Sequence, residues 1–185
     1  SIGRSSLILA LIFVGLFAVL PAEAEFLLSA EGTSVQGDLT STASTSHSQT
    51  YVEGGAMWGF SQRTPFYFGL IYSSYGSSDK DLSNATAVFL SQDYFIGAKY
   101  FFGRDRQLGL TAAYGILSTA NYKLDSNPTE TWSGTSTLFK ISYRFFVSNS
   151  ISLSASLGYY KATYIKKDVG GVSTSFSGSK TFLLP

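Results

Sequence analysis

Apolar and polar residues alternate with a period of two along most of the chain after residue 25. Between Thr137 and Val147, aromatic and aliphatic residues occupy every second position, and Lys140, Ser142 and Arg144 lie between them. The same alternation recurs at 51–60, 93–102, 107–116 and 151–160, and more weakly at 26–38 and 66–75. A period of two is typical of β-strands with one apolar face. The pattern therefore predicts seven strands of about ten residues each.

Two architectures fit these strands, a soluble β-sandwich and a transmembrane barrel. The composition of the polar face distinguishes between them. That face consists mainly of Gly, Ser, Ala and Thr with an occasional charge, and such small residues fit the narrow interior of a small barrel. The opposite face is rich in Phe and Tyr, as a lipid-facing surface requires. We therefore expect an all-β, transmembrane, antiparallel up-and-down barrel of about eight strands. A secreted sandwich adhesin is the alternative.

The links between the predicted strands alternate in length. Long links are predicted at 39–50, 76–87 and 121–134, and short ones at 61–65, 103–106 and 148–150. Outer-membrane barrels have long extracellular loops and short periplasmic turns. The first link is long, so the first strand is predicted to run outward from the periplasm.

Aromatic residues group beside both kinds of link. The set beside the short turns is predicted to form a lipid-facing girdle: Trp58, Phe60, Phe66, Tyr100, Phe102 and Phe145. A second set lies toward the long links and is predicted to form the other girdle: Tyr72, Tyr75, Trp132, Tyr159, Tyr160 and Tyr164.

The first 24 residues have the features of an export signal. Arg4 precedes an uncharged apolar run at 7–20, and Ala22-Glu23-Ala24 supplies a small-x-small cleavage site. The run is short for a helical membrane span of about 20 residues. We expect residues 1–24 to be a signal peptide and residues 25–185 to form the barrel domain.

Composition narrows the possible chemistry. The formal net charge is +1, so no electrostatic feature favours a nucleic-acid partner. The chain has no Cys and a single His, which excludes Cys-ligated and multi-His metal sites. No phosphate-binding glycine motif is present, and we expect no cofactor.

The export signal, the alternation and the link pattern resemble those of small outer-membrane barrels of the OmpA/OmpX-like kind. The resemblance covers nearly all of residues 25–184 and implies a bacterial outer-membrane location, with outer-membrane lipids and lipopolysaccharide as partners. Such chains usually end in a strand with a terminal aromatic residue, whereas this one ends Phe182-Leu183-Leu184-Pro185. Because such barrels have an even strand number, an eighth strand is expected. Either 173–184 forms it irregularly or the sequence is truncated.

Six charged residues are assigned to the interiors of the predicted strands: Glu31, Glu53, Asp93, Lys99, Lys140 and Arg144. A Lys or Arg on the lipid face near mid-membrane costs roughly 2–4 kcal/mol, so we expect these side chains to face the interior. Balanced charges in a narrow interior favour a salt-bridged plug that keeps the barrel closed. A gated ion path is the alternative.

The favoured function is non-enzymatic: envelope structure, loop presentation or self-assembly. The small lipid-facing residues Gly54 and Ala56 predict a contact in a homo-oligomer. A small pore is the second interpretation. The third follows from the resemblance, because some small outer-membrane barrels modify lipid A. In that interpretation His47, in the first long link, acts with a Ser and Asp79.

Overall fold

The computed structural model describes residues 25–37, 46–60, 65–80, 85–148 and 150–184, which form a single antiparallel sheet. Its eight strands are β1 (Glu25–Gly37), β2 (Ser46–Gly59), β3 (Phe66–Lys80), β4 (Thr86–Phe102), β5 (Leu108–Leu124), β6 (Glu130–Phe146), β7 (Ser152–Val169) and β8 (Val172–Leu184). Each strand pairs with the next one in sequence. The predicted all-β, up-and-down architecture is confirmed. Among the described residues, no helix is long and apolar enough to span a membrane.

The sheet curls so that its two edges share one concave face, called here the interior. Tyr75 on β3 stacks on Phe182 of β8 with 3.7 Å between ring centroids. Ser156 on β7 donates a hydrogen bond to the Glu31 carboxylate on β1. No ladder joins β1 to β8 in the described residues, so the sheet is not closed by hydrogen bonds, but its curl is that of an eight-stranded barrel.

Four ladders carry register shifts that increase this curl. They lie at Tyr94/Phe95 between β4 and β5, at Gly115/Ser118 between β5 and β6, at Ser133/Gly134 between β6 and β7, and at Tyr164/Lys166 between β7 and β8. An extra residue on one strand bends that strand and increases its right-handed twist. Ile116 and Leu117 are consecutive and both exposed, as expected where such a bulge interrupts the alternation.

The two ends of the sheet are called here the turn end and the loop end. The turn end is where β1 begins and the chain turns from β4 to β5 and from β6 to β7. The loop end is the opposite end, where the chain passes from β5 to β6 and from β7 to β8.

The predicted alternation of link lengths is wrong. β3 extends to Lys80 and β4 begins at Thr86, so strands occupy most of the predicted link 76–87. The links 103–107 and 125–129 therefore have equal lengths although they lie at opposite ends. The ladder continues through Ser- and Thr-rich segments because backbone hydrogen bonds do not depend on an apolar face. His47 accordingly belongs to β2, rather than to a loop.

The interior is packed with large aromatic side chains as well as small ones. Tyr75, Trp132, Tyr160 and Tyr164 are buried there, so the predicted second girdle is wrong for these four residues. Tyr160 and Tyr164 lie on the same strand face as Gly158, which is buried, whereas Tyr159 is exposed on the other face. The remaining large members of the core are Tyr51, Met57, Tyr67, Ile71, Phe89, Phe95, Phe101, Leu138 and Leu184.

The convex face is apolar across all eight strands. One row of ladder partners crosses the whole sheet: Phe26, Trp58, Phe68, Ala98, Ala112, Phe139, Tyr159 and Leu183. Nearer the loop end, a polar row crosses six strands: Ser74, Gln92, Thr119, Ser133, Lys166 and Ser175. On β4 the outward apolar positions run from Tyr94 to Phe102. That length matches the 9–11 residues of a transmembrane strand. Val88 and Leu90, beyond the polar row, are also apolar and exposed.

Candidate functional site

All six charged residues predicted to face the interior lie on the concave side of the sheet, but they do not form one network. Glu53, Asp93 and Lys140 are fully buried, and the other three are partly buried. They divide into three groups: Lys140 with Glu31 and Glu53, Asp93 by itself, and Lys99 with Arg144.

Lys140 forms the centre of the first group. Glu31 and Glu53 are direct partners in the β1–β2 ladder, so their carboxylates lie side by side. Lys140 Nζ, which comes from β6, lies 2.9 Å from Glu31 Oε2 and 2.6 and 2.7 Å from the two oxygens of Glu53. One ammonium therefore bridges two carboxylates that would otherwise repel each other.

Two hydroxyl groups also donate hydrogen bonds to these carboxylates. Tyr51 donates a hydrogen bond of 2.6 Å to Glu53 Oε2, and Ser156 donates one to Glu31 Oε1. The four strands β1, β2, β6 and β7 are thereby joined across the interior. Charge-assisted hydrogen bonds of this kind are the strong ones in a low-dielectric interior. This salt-bridged cluster of Glu31, Glu53, Lys140, Tyr51 and Ser156 is called here the Lys140 plug.

Asp93 lies on β4, apart from the basic residues. Its side chain is 0% exposed, and Tyr160 on β7 donates a hydrogen bond of 2.8 Å to its Oδ2. The other oxygen, Oδ1, has no hydrogen-bond partner among the described residues. Ser118 and Ser136, which hydrogen bond to each other at 2.6 Å, continue the polar strip of the β4–β6 interior. Asp93 therefore forms no ion pair with a described residue.

Lys99 and Arg144 form the third group, near the turn end. Both cations contact the ring of Phe101, with Lys99 Nζ 5.3 Å and Arg144 Cζ 4.1 Å from its centroid. Arg144 donates a hydrogen bond from Nη2 to the backbone oxygen of Arg106 at 3.0 Å. Neither side chain forms a salt bridge with a carboxylate among the described residues.

Sequence reasoning missed a further ion pair at the turn end. Arg106 Nη1 lies 3.1 Å from Glu25 Oε2, and Tyr67 hydrogen bonds to both residues. Glu25 starts β1 and Arg106 belongs to the β4–β5 turn, where neither residue lies inside an alternating segment. No periodicity could have assigned them to a face.

The residues of the predicted girdle lie on the convex face at the turn end. Five of the six are exposed, and Trp58 is half-buried because its ring packs edge-on against Phe68 at 4.2 Å. Tyr100 and Phe102 contact each other in the same way at 4.8 Å. The exposed members are Phe60, Phe66, Tyr100, Phe102 and Phe145.

The remaining candidate residues lie on β2. Gly54 and Ala56 are half-exposed on the convex face, and a Cβ added to Gly54 would meet nothing nearer than the Ser29 carbonyl oxygen at 4.0 Å. The predicted oligomer contact stays a prediction. In the β2–β3 ladder His47 is the direct partner of Asp79. Among the described residues, no group of three His, Cys, Asp or Glu residues could hold a metal ion.

The chain was compared with protein families, curated proteins and solved structures. No protein-family model, no curated protein and no solved structure matches this chain.

Proposed function

We propose that this chain is an integral β-barrel protein of the bacterial outer membrane, non-enzymatic and closed to ions. Its roles are those of a barrel that acts through its outer surface and its loops: envelope structure, presentation of loops and self-association. These roles go beyond what the fold shows, because one fold is compatible with many functions.

The observation that carries the proposal is the apolar convex face. Every strand exposes large apolar side chains there, while the opposite face is already packed as a core. Contiguous apolar patches on soluble monomers rarely exceed about 300–600 Å². A sheet with apolar residues on both faces needs a second apolar phase, and a lipid bilayer supplies one.

The buried charges support a closed interior. The Lys140 plug joins four strands across the interior and leaves the Lys140 side chain only 3% exposed. An eight-stranded barrel is barely wide enough to hold its own side chains. Such a barrel has no continuous aqueous path, which is the property that distinguishes it from a porin.

Two measurements on the purified protein test this proposal. On SDS gels, an unheated sample of a folded outer-membrane barrel migrates differently from a boiled one, and we expect that difference here. In planar bilayers we expect no steady conductance. Identical migration with and without boiling, or recovery in the soluble periplasmic fraction, contradicts the membrane assignment. A steady conductance supports a small pore instead.

A further inference from the structure

Asp93 on β4 is a buried carboxylate without a counter-charge among the described residues. Its side chain is 0% exposed, and its Oδ1 atom has no hydrogen-bond partner there. The other oxygen, Oδ2, accepts the hydrogen bond of 2.8 Å from Tyr160. A charge that is buried without compensation is strongly unfavourable. A positively charged ligand at Oδ1 would remove this cost.

The cations of the interior contact other groups. Lys140 binds the carboxylates of the Lys140 plug, and Lys99 and Arg144 contact the ring of Phe101. Lys180 lies over the ring of Phe89. None of the salt bridges in the described part of the chain includes Asp93. Asp93 therefore needs a ligand or a proton to balance its charge.

Hydroxyl oxygens surround this carboxylate. Ser73 on β3 and Ser118 on β5 are the direct ladder partners of Asp93, and Ser91 faces the carboxylate from the same strand. Ser73 and Ser91 are both 0% exposed, and neither Oγ has a hydrogen-bond partner among the described residues. Together with Asp93 Oδ1, three unpartnered oxygen atoms lie side by side in the interior. Buried polar atoms are rarely left unpaired, so the cluster indicates a missing ligand.

A bulge in β5 brings Ser118 to this position. Strict alternation from the buried Gly115 would turn Leu117 inward and Ser118 outward, but Leu117 is exposed and Ser118 is buried. The β4–β5 ladder shifts at the same place, immediately after Asp93. Bulges redirect side chains and occur often beside functional sites. Gly115 also leaves room for the hydroxyl groups, because a Cβ there would collide with Ser136 Oγ, which accepts the hydrogen bond of Ser118.

We propose that Asp93 Oδ1 and the hydroxyl oxygens of Ser73, Ser91 and Ser118 bind one dehydrated alkali-metal cation. Hard cations prefer oxygen ligands, and this cluster offers oxygen atoms alone. A single carboxylate balances a single positive charge. The described residues contain no group of three His, Cys, Asp or Glu side chains of the kind that a divalent metal ion requires.

Neither water nor a proton satisfies this cluster as fully. Water molecules could bond to the hydroxyl groups, but they would leave the negative charge of Asp93 uncompensated. Protonation of Asp93 removes that charge and supplies one donor, which serves one neighbouring oxygen atom. A cation compensates the charge and is coordinated by every oxygen atom that faces it.

An ion at this depth stabilises the fold and does not imply conduction. The cluster is fully buried once the sheet has curled, so we expect the ion to be taken up while the chain folds. The site lies in the interior and requires only the folded chain. It is therefore independent of the membrane location proposed above.

The test refolds the full chain from urea in a non-ionic detergent with NaCl, KCl or choline chloride at equal ionic strength. Urea midpoints are measured in each salt, and ²³Na NMR line broadening reports on bound Na⁺. We expect a saturable rise in the urea midpoint with Na⁺ or K⁺ and none with choline, whose methyl groups keep oxygen ligands away from its charge. Equal midpoints in the three salts overturn the proposal.

Two variants remove ligands from the site. Asp93→Asn has nearly the shape of the wild type without its charge. It should lose the dependence on Na⁺ and be at least as stable as the wild type in choline chloride, since a buried charge has been removed. Ser91→Ala should raise the Kd for Na⁺ about fivefold. The matched control is Ser142→Ala, which removes a buried hydroxyl further along β6 and should leave the Kd unchanged.

The variants also separate the cation from its competitors. An Asp93→Asn variant that keeps the Na⁺ dependence overturns the proposal, as does a Kd raised equally by Ser91→Ala and Ser142→Ala. An infrared carbonyl band of a carboxylic acid that is present in NaCl and absent from Asp93→Asn shows a protonated Asp93 and also overturns it. If Asp93→Asn fails to fold, a Kd raised by Ser91→Ala alone supports the proposal, and equal Kd values in the two serine variants overturn it.

Discussion

At the scale of single residues, the alternation within a strand is enough to assign each buried charge to a face of the sheet. It does not show which charges form ion pairs with each other. Glu53, Asp93 and Lys140 each occupy a polar position within an alternating segment, so the sequence predicts their direction. Lys140 is 87 residues from Glu53 and 109 residues from Glu31. Only the curl of the whole sheet brings them together, and no local pattern contains that information.

Removal of the Lys140 ammonium should be strongly destabilising. Lys140→Met leaves two adjacent carboxylates buried without a counter-charge, and the expected loss is about 3–5 kcal/mol of the free energy of unfolding. Urea titration of the protein in lipid vesicles measures this loss. The combined variant Lys140→Met, Glu31→Gln, Glu53→Gln should recover most of it. A loss below about 1 kcal/mol in the single variant would match a solvated surface pair instead.

The aromatic residues show where residue-scale reasoning fails. Tyr160, Tyr164 and Trp132 resemble girdle residues in composition and in position along the chain, yet they are buried in the interior. Alternation within each strand places them correctly, because Tyr160 and Tyr164 have the parity of the buried Gly158 and Trp132 has the parity of the buried Lys140. Assignment by residue type and by distance from the links therefore fails where the alternation succeeds.

At the scale of elements, the strand cores were predictable and their ends were not. On β4 from Tyr94 to Phe102, exposed apolar positions alternate with buried or half-buried ones, as the sequence predicts. Beyond the polar row β4 still has Val88 and Leu90 facing outward, but its partner β3 has Gly76, Ser78 and Lys80 there, so the sequence signal weakens although the ladder continues.

The boundary of the apolar band can be tested within one strand. Ile96 and Gln92 lie on the same face of β4, and Ile96 is in the apolar band while Gln92 is in the polar row. Ile96→Arg should cost roughly 2–4 kcal/mol of folding free energy in vesicles, and Gln92→Arg about 0–1 kcal/mol. Fractional folding into vesicles measures both. Equal costs for the two variants would contradict the proposed position of the bilayer.

The turn between β7 and β8 was missed although the sequence contains its signal. Gly170 and Gly171 have φ of +60° and +86° and form a two-residue hairpin link between Val169 and Val172. A Gly-Gly pair between alternating segments is a strong indication of such a turn. Apolar and polar residues do not alternate clearly on either side of this turn, so the alternation did not predict the hairpin.

Substitution in this turn should have a defined cost. Gly171→Val places a β-branched residue at positive φ and should destabilise the fold by about 1–2 kcal/mol. Gly170→Asn should be nearly neutral, because Asn adopts this conformation readily. Urea midpoints in detergent compare the two variants. A Gly171→Val midpoint equal to that of the wild type would show that the turn is not built in this way.

At the scale of the whole molecule, orientation is the main expectation that the fold leaves open. The sequence analysis predicts that the first strand runs outward from the periplasm, which would place the loop end outside the cell and the turn end in the periplasm. A cysteine at Ser126, in the β5–β6 link, should react with a membrane-impermeant reagent in intact cells, and one at Arg104, in the β4–β5 turn, should react only after lysis. The chain has no native Cys, so the signal is specific. The reverse labelling pattern would invert the orientation.

The central claim is that the convex face contacts lipid and the concave face does not, and the two tryptophans of the chain test it directly. Trp58 lies on the convex face within the apolar row, and Trp132 is buried in the interior against Tyr122 and Phe176. Brominated lipid acyl chains quench only tryptophans that they touch. In vesicles of such lipids, the Trp132→Phe variant should lose most of its fluorescence, and the Trp58→Phe variant should keep it. Equal quenching of the two variants, or an unquenched Trp58, would contradict the account.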